Sequence, residues 1–170
     1  MRSEPRVVLL LGPQGTEALG EWLGERLRPG QGVALVGELG AGKTCLVRGL
    51  ARGLRVDEPE AVASPTYLML VEHPGPVPLL HLDAYLPGKT RAFLSEGGFD
   101  YLGERGGVVA VEWADRLPDL LPPERVWVEL VPGLVDGIPG RVGRVAGEPE
   151  ACFPWLRDLP SRFGAVPQGH

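Results

Sequence analysis

Eight residues carry the first chemical signal in this 170-residue chain: Gly37-Glu38-Leu39-Gly40-Ala41-Gly42-Lys43-Thr44 fits G-x-x-x-x-G-K-[ST]. The glycines of such a loop let successive backbone N–H groups turn inward around phosphate oxygens, and the following helix N-terminus adds its dipole. Lys43 is expected to reach the β- and γ-phosphates and the Thr44 hydroxyl to ligate Mg²⁺. Lys43 and Lys89 are the only lysines in a chain whose other basic residues are arginine. A compact ammonium suits a phosphate cradle better than a planar fork does.

A phosphate loop alone binds; hydrolysis or transfer also needs carboxylates near the cation and a positioned nucleophile. Two apolar runs end in an acid, Val108-Val109-Ala110-Val111-Glu112 and Leu79-Leu80-His81-Leu82-Asp83. Glu112 and Asp83 are therefore the candidates to hold the metal or orient the attacking water. His81 lies two residues before Asp83, on the same side of a strand, and reads as a structural neighbour. Ser64-Pro65-Thr66 offers hydroxyls on a loop that would sense the γ-phosphate. Trp113, next to Glu112, either stacks on a partner or covers the sheet end.

These groups need elements to hold them. Gly32 to Val36 is a short apolar run of the kind that forms a buried parallel strand. Leu46, Val47, Leu50 and Leu54 recur at helical spacing after the loop, with Gly53 as a C-cap. Upstream, Val7 to Leu11 reads as a strand and Gly12-Pro13 as its breaker. Thr16 then caps a helix that runs to about Arg28 with Leu19, Trp22, Leu23 and Leu27 inside. Downstream, 67–72 and 79–83 form a hairpin, 89–95 a short helix, 107–112 and 126–131 strands, and 141–145 a weaker edge strand. The sum is an α/β three-layer P-loop NTPase domain, mostly parallel, with antiparallel edge strands. In such sheets the chemistry lies beyond the carboxyl ends of the strands, where Asp83 and Glu112 fall.

Composition sets limits. A formal net charge of −5 argues against independent binding to a nucleic-acid backbone. Arg48, Arg52 and Arg55 form a loose group on one helix, either a solvated face or a docking surface. No apolar run reaches the roughly 20 residues that span a bilayer, and Cys45 and Cys152 match no metal spacing. The expectation is a cytoplasmic protein with an ATPase domain over residues 1–148. A proline-rich tail over 149–170 is expected to pack loosely.

Taken in order, the loop, Ser64-Pro65-Thr66-Tyr67, His81-Leu82-Asp83-Ala84-Tyr85 and Glu112-Trp113 make the chain similar to the TsaE (YjeE) family over about residues 16 to 131. These are the bacterial ATPases of tRNA threonylcarbamoyladenosine biosynthesis. The resemblance implies ATP and Mg²⁺ as ligands. It also implies two partners, the transfer-site subunit of the threonylcarbamoyl-transfer complex and its degenerate paralogue, with tRNA met only indirectly and no membrane. By position, Thr16, Glu38, Leu39, Gly40, Ala41, Gly42, Lys43 and Thr44 would bind nucleotide. Thr44, Asp83 and Glu112 would serve metal and water, with Lys43, Asp83 and Glu112 catalytic. Ser64, Thr66 and Trp113 would form the switch and partner surface. One departure stands out: Leu86 replaces the arginine of the family's H-x-D-x-Y-R, and Arg91 is the candidate to supply that charge.

Two other functions fit the same loop. A small-molecule P-loop kinase would use the segment from Pro87 to Arg105 as a lid bearing Arg91 and Arg105. A nucleotide-gated binding module would have no useful turnover.

Overall fold

In the computed structural model, residues 1–65 and 68–164 are described. Among them the sheet has eight strands: β1 (Arg6–Leu10), β2 (Gly32–Val36), β3 (Leu70–His73), β4 (Leu79–Asp83), β5 (Val108–Glu112), β6 (Arg125–Val135), β7 (Ile138–Glu148) and β8 (Arg162–Phe163). Their spatial order is β3-β4-β5-β2-β6-β7-β1-β8. β4, β5, β2 and β6 are mutually parallel, β1 and β8 run the same way, and only β3 and β7 oppose them. The sheet is thus mixed but mostly parallel, and the four central strands present their carboxyl ends on one edge. The hairpin expected from 67–72 and 79–83 is present as the antiparallel β3–β4 pair, with β3 at Leu70–His73.

Both faces are covered. Val33, Leu35, Leu79, Val108 and Ala110 face α1 (Gly12–Gly24) and α2 (Lys43–Leu54), whereas Ala34, Leu80, Leu82, Val109 and Val111 face a thinner layer. That second layer contains α3 (Pro87–Phe93), α4 (Phe99–Arg105) and the 3₁₀ turns after β5. Alternation along each strand explains the split, and it puts His81, Asp83 and Glu112 on the α1/α2 side.

α1 and α2 meet backbone to backbone through a glycine seam. A Cβ on Gly49 would stand 1.9 Å from the Glu17 carbonyl oxygen, and one on Gly20 would stand 2.1 Å from that of Leu46. Gly49→Ala is expected to force the helices apart and to destabilise by about 3 kcal/mol. A thermal melt should show a midpoint lower by about 5–10 °C. An unchanged midpoint would contradict this packing.

Glu17 bridges the same two helices, with Arg52 at 2.6 Å and Arg48 at 3.3 Å. Burial lifts its pKa, and the hydrogen bonds and charges of Arg52 and Arg48 outweigh that, leaving the carboxyl below its ordinary range. A depressed folded-state pKa gives stability that is present above the unfolded value of roughly 4.3 and lost as pH falls through the folded one. Glu17→Gln should therefore cost about 1 kcal/mol at neutral pH, with the gap to wild type closing in acid. Denaturant titrations at pH 7 and pH 3 measure it. Arg52 also pairs with Glu60 at 2.7 Å, and Arg48 donates to the Val62 carbonyl. Of the three arginines read as a basic face, two are tied to carboxylates.

Several expectations are corrected. Thr16 caps nothing: α1 starts at Gly12, with Pro13 in the first turn, where its missing N–H is harmless. That helix ends at Gly24 rather than near Arg28. Gly53 is no cap either, because α2 runs on to Leu54 and Arg55 ends it in the left-handed region at φ 60°; Gly53 instead lets α1 approach, with the Glu21 carbonyl 2.3 Å from where its Cβ would be. The weak edge strand at 141–145 is the middle of the 11-residue β7, interior to the sheet between β6 and β1. The stretch after residue 148 does not pack loosely where it is described. Phe153, Leu156 and Leu159 are buried in the main core, Trp155 meets Trp22 edge-on at 5.6 Å, and β8 joins the sheet beside β1.

Candidate functional site

The loop leaves β2 at the centre of the carboxyl edge and turns into α2. Gly40 and Gly42 have φ of +78° and +106°, a region open to glycine and costly for other residues. Glu38, Leu39 and Gly40 form its exposed crest and Ala41 its buried underside. Thr16 lies against the loop from α1, its Cγ2 3.5 Å from where a Gly42 Cβ would be.

Lys43 opens α2 and is 5% exposed. Its Nζ donates to the carbonyls of Gly37 (2.5 Å) and Glu38 (2.9 Å) and sits 4.0 Å from the centre of the Trp113 ring. The side chain is thus folded over the loop, with an aromatic face closing the third side. Burial pulls its pKa below the usual lysine value, against the opposing charges of Glu112, Asp83, Asp115 and Glu38.

The Thr44 hydroxyl donates to Glu112 Oε1 at 2.8 Å. The same oxygen lies 2.9 Å from His81 Nε2. A carboxylate that is 3% exposed needs such partners, since an unpaired buried charge is costly. His81, fully buried, is therefore bonded to the candidate site and is more than a neighbour of it. Among the described residues its Nδ1 has no hydrogen-bond partner, and Nε2 is the atom that contacts Glu112.

Asp83 is register-paired with Glu112 on the adjacent strand and is 3% exposed. Its Oδ1 accepts the Tyr85 N–H at 2.7 Å, and its carbonyl accepts the Thr90 hydroxyl at 2.9 Å. Glu112 touches Thr44 directly, whereas Asp83 stands one strand away, within electrostatic reach of Lys43.

A cavity of about 280 Å³ opens here, lined among others by Gly40, Lys43, Thr44, Ser64, Tyr85, Glu112 and Trp113. Ser64 is exposed at its rim. Thr66 lies outside the described residues. Trp113 is half-buried, has φ +58°, and meets Tyr85 edge-on at 5.2 Å. Cys45 also lines the cavity, its thiol pKa raised by burial, which leaves it a poor nucleophile. A second, apolar cavity of about 150 Å³ beneath α3 and α4 is lined by no titratable side chain.

Sequence reasoning misplaced one charge and overlooked another. Arg91 is turned to Asp119 (2.8 Å) and does not serve the corner at Leu86. Arg116 stands there instead, donating to the Tyr85 carbonyl at 2.5 Å and lying 4.7 Å from the Trp113 ring centre. Arg105 pairs with Glu72, so neither candidate lid arginine lines the cavity. Arg141, overlooked altogether, donates to the loop carbonyls of Ala41 and Gly40 from β7. A weak strand signal with no motif around it gave no reason to single it out.

The family model described as "Threonylcarbamoyl adenosine biosynthesis protein TsaE" matches residues 11–134. A protein named as tRNA threonylcarbamoyladenosine biosynthesis protein TsaE from Nostoc is 40% identical over 114 residues, covering 65% of this chain and 69% of that one. Its namesake in Treponema pallidum is 36% identical over 117 residues, covering 69% and 84%. That of Bacillus subtilis is 34% identical over 119 residues, covering 69% and 72%. The crystal structure of Bacillus subtilis YdiB superposes with a TM-score of 0.68 at 25% identity, covering 93% of this chain and 97% of that one. The glycine loop, the buried acids and this matched span agree, and the chain belongs to the TsaE family of tRNA threonylcarbamoyladenosine biosynthesis.

Proposed function

We propose that this chain is a cytoplasmic, Mg²⁺-dependent P-loop ATPase that supports the threonylcarbamoyl-transfer complex in modifying tRNA. The observation that carries the reading is the 2.8 Å hydrogen bond from Thr44 to Glu112, which ties the loop to the end of a neighbouring strand. The donor set suits a hard cation. Mg²⁺ prefers oxygen and takes one or two protein ligands beside phosphate and water, and Thr44, Glu112 and Asp83 provide hydroxyl and carboxylate oxygens. Thr44, Glu112 and Asp83 would hold the ion, which when bound would supply positive charge against the charge developing on the phosphates.

The chain's own groups do the rest. N–H groups of the loop between Gly40 and Thr44, apart from that of Ala41, which is given to the Glu38 carbonyl, bind phosphate oxygens, and Lys43 turns from its carbonyl partners toward the β- and γ-phosphates. Thr44 gives its one proton to Glu112, which leaves its lone pairs for a cation. Glu112 has one oxygen committed to Thr44 and His81, and the other is left to orient water for in-line attack. Asp83 adds negative charge at the same edge. Ser64 and Trp113, which line the cavity, would serve together with Thr66 as the switch and partner surface. Contact with tRNA is indirect, in keeping with the net charge of −5 and with Arg48 and Arg52 being occupied by Glu17 and Glu60. The kinase reading loses support because Arg91 and Arg105 are both paired with carboxylates away from the loop.

The test is phosphate release from ATP and Mg²⁺, with and without the transfer-site subunit and its paralogue. Inorganic phosphate should appear and rise when both partners are added. A phosphorylated small molecule as product would favour a kinase, and nucleotide binding without any turnover would favour the gated module.

A further inference from the structure

Arg141 projects from β7, where it is registered with Leu10 on one side and Pro132 on the other. Its Nε donates to the Ala41 carbonyl at 2.7 Å, Nη2 to that of Gly40 at 3.1 Å and Nη1 to that of Gly140 at 3.1 Å. Arg48, Arg52, Arg91 and Arg144 each face a carboxylate within 3.3 Å. Arg141 faces carbonyls, and among the described residues no carboxylate pairs with it. Its charge is therefore set against the loop carbonyls and not against a carboxylate.

In a trans peptide the C=O and N–H point in opposite directions. Drawing the Ala41 carbonyl toward Arg141 turns the Gly42 N–H the other way, into the cavity. The adjacent Ala41 N–H is spent on the Glu38 carbonyl at 3.0 Å, so the Gly42 N–H is the one this contact makes available. Gly42 is also backed on that side, with Arg141 Nε 3.8 Å, Thr16 Cγ2 3.5 Å and Leu130 Cδ1 3.9 Å from where its Cβ would lie.

We infer that Arg141 is a positioning residue for the nucleotide's phosphates, holding the outer side of the Gly40–Gly42 turn and placing a cation behind it. It lies beyond the 11–134 span that defines the family match. The inference rests on the nucleotide reading above. Arg141 reaches the two carbonyls from two different nitrogens of a rigid fork, Nε and Nη2, whereas a lysine there would have to reach both from one nitrogen at the end of a flexible stem.

ADP binding by calorimetry, with Mg²⁺, on the full-length wild type, R141A, R141K and R141Q tests this. R141A should weaken ADP by about 10- to 100-fold, as for loss of charged hydrogen bonds. R141K should recover part of the loss through charge, and R141Q part through a single amide donor. KM for ATP should rise while kcat stays within about threefold, because the contact is made equally in ground and transition states. Amide exchange of the 37–44 peptide, without nucleotide, should accelerate in R141A and R141Q while that of β5 does not. R141A matching wild type in both ADP affinity and loop exchange overturns the inference. So does an equal loss in all three variants accompanied by a lowered melting midpoint, which would mark a purely structural arginine. If R141A does not fold, R141Q carries the same comparison. Wild-type protein with no Lys43-dependent ADP binding would remove the nucleotide reading itself, an outcome distinct from unchanged binding in R141A alone.

Discussion

Lys43→Ala is expected to raise the Kd for ATP by at least ~100-fold, because it removes charged hydrogen bonds worth about 1.5–3 kcal/mol each. Nζ is bound to two loop carbonyls and covered by the Trp113 ring. The ammonium is thus already held at the loop, and burial penalises its charge, so a nearby anion is favourable. Lys43→Arg should not rescue. The planar fork of a guanidinium does not match a site that holds a compact point charge between two carbonyls and the Trp113 ring. Calorimetric titration with ATP and Mg²⁺ gives the answer. Retention of wild-type affinity in the alanine variant would mean that the phosphates sit elsewhere.

Glu112→Gln should leave ATP affinity within a few fold and lower kcat by about 10²–10³, the usual cost of removing one positioned electrostatic group. The substitution keeps the shape, and an amide oxygen can still accept from Thr44 and His81, so the packing around β5 is preserved. What changes is the charge beside the loop. Single-turnover hydrolysis measured alongside ATP binding separates the two effects. An equal loss of binding and turnover would contradict the assignment of Glu112 to chemistry. Asp83→Asn is expected to fall between these variants, since Asp83 reaches Lys43 electrostatically but makes no direct contact with Thr44 that matches that of Glu112.

Much of this was legible because it is local. Strand, glycine loop and helix follow one another within 23 residues, from Gly32 to Leu54, and the loop's demands on φ are written in its glycines. Buried acids after apolar runs marked Asp83 and Glu112 for the same reason. What escaped depends on contacts between distant segments. β6 and β7 contain Pro132 and Pro139, neither of which can donate to a sheet ladder. They are tolerated because β2 pairs with β6 only as far as Glu129, and β1 pairs with β7 only from Arg141 onward. Each proline therefore lies on a stretch with one neighbouring strand, where a missing N–H can face outward. The segment after residue 148 has no helical or strand period. Its buried Phe153, Leu156 and Leu159 are held by short 3₁₀ turns and by tertiary packing, which no periodic pattern announces. Arg141 was hidden for a related reason, since its partners lie about a hundred residues away in sequence.

A crystal structure of the full chain with Mg²⁺ and a non-hydrolysable ATP analogue bears most directly on the whole argument. The β- and γ-phosphates should rest on the amides of Gly42, Lys43 and Thr44 with the Lys43 ammonium turned onto them, the cation on the Thr44 hydroxyl, and Glu112 beside the γ-phosphate. A triphosphate bound away from Lys43 and Thr44, or a cation with neither Glu112 nor Asp83 near it, would contradict the proposal.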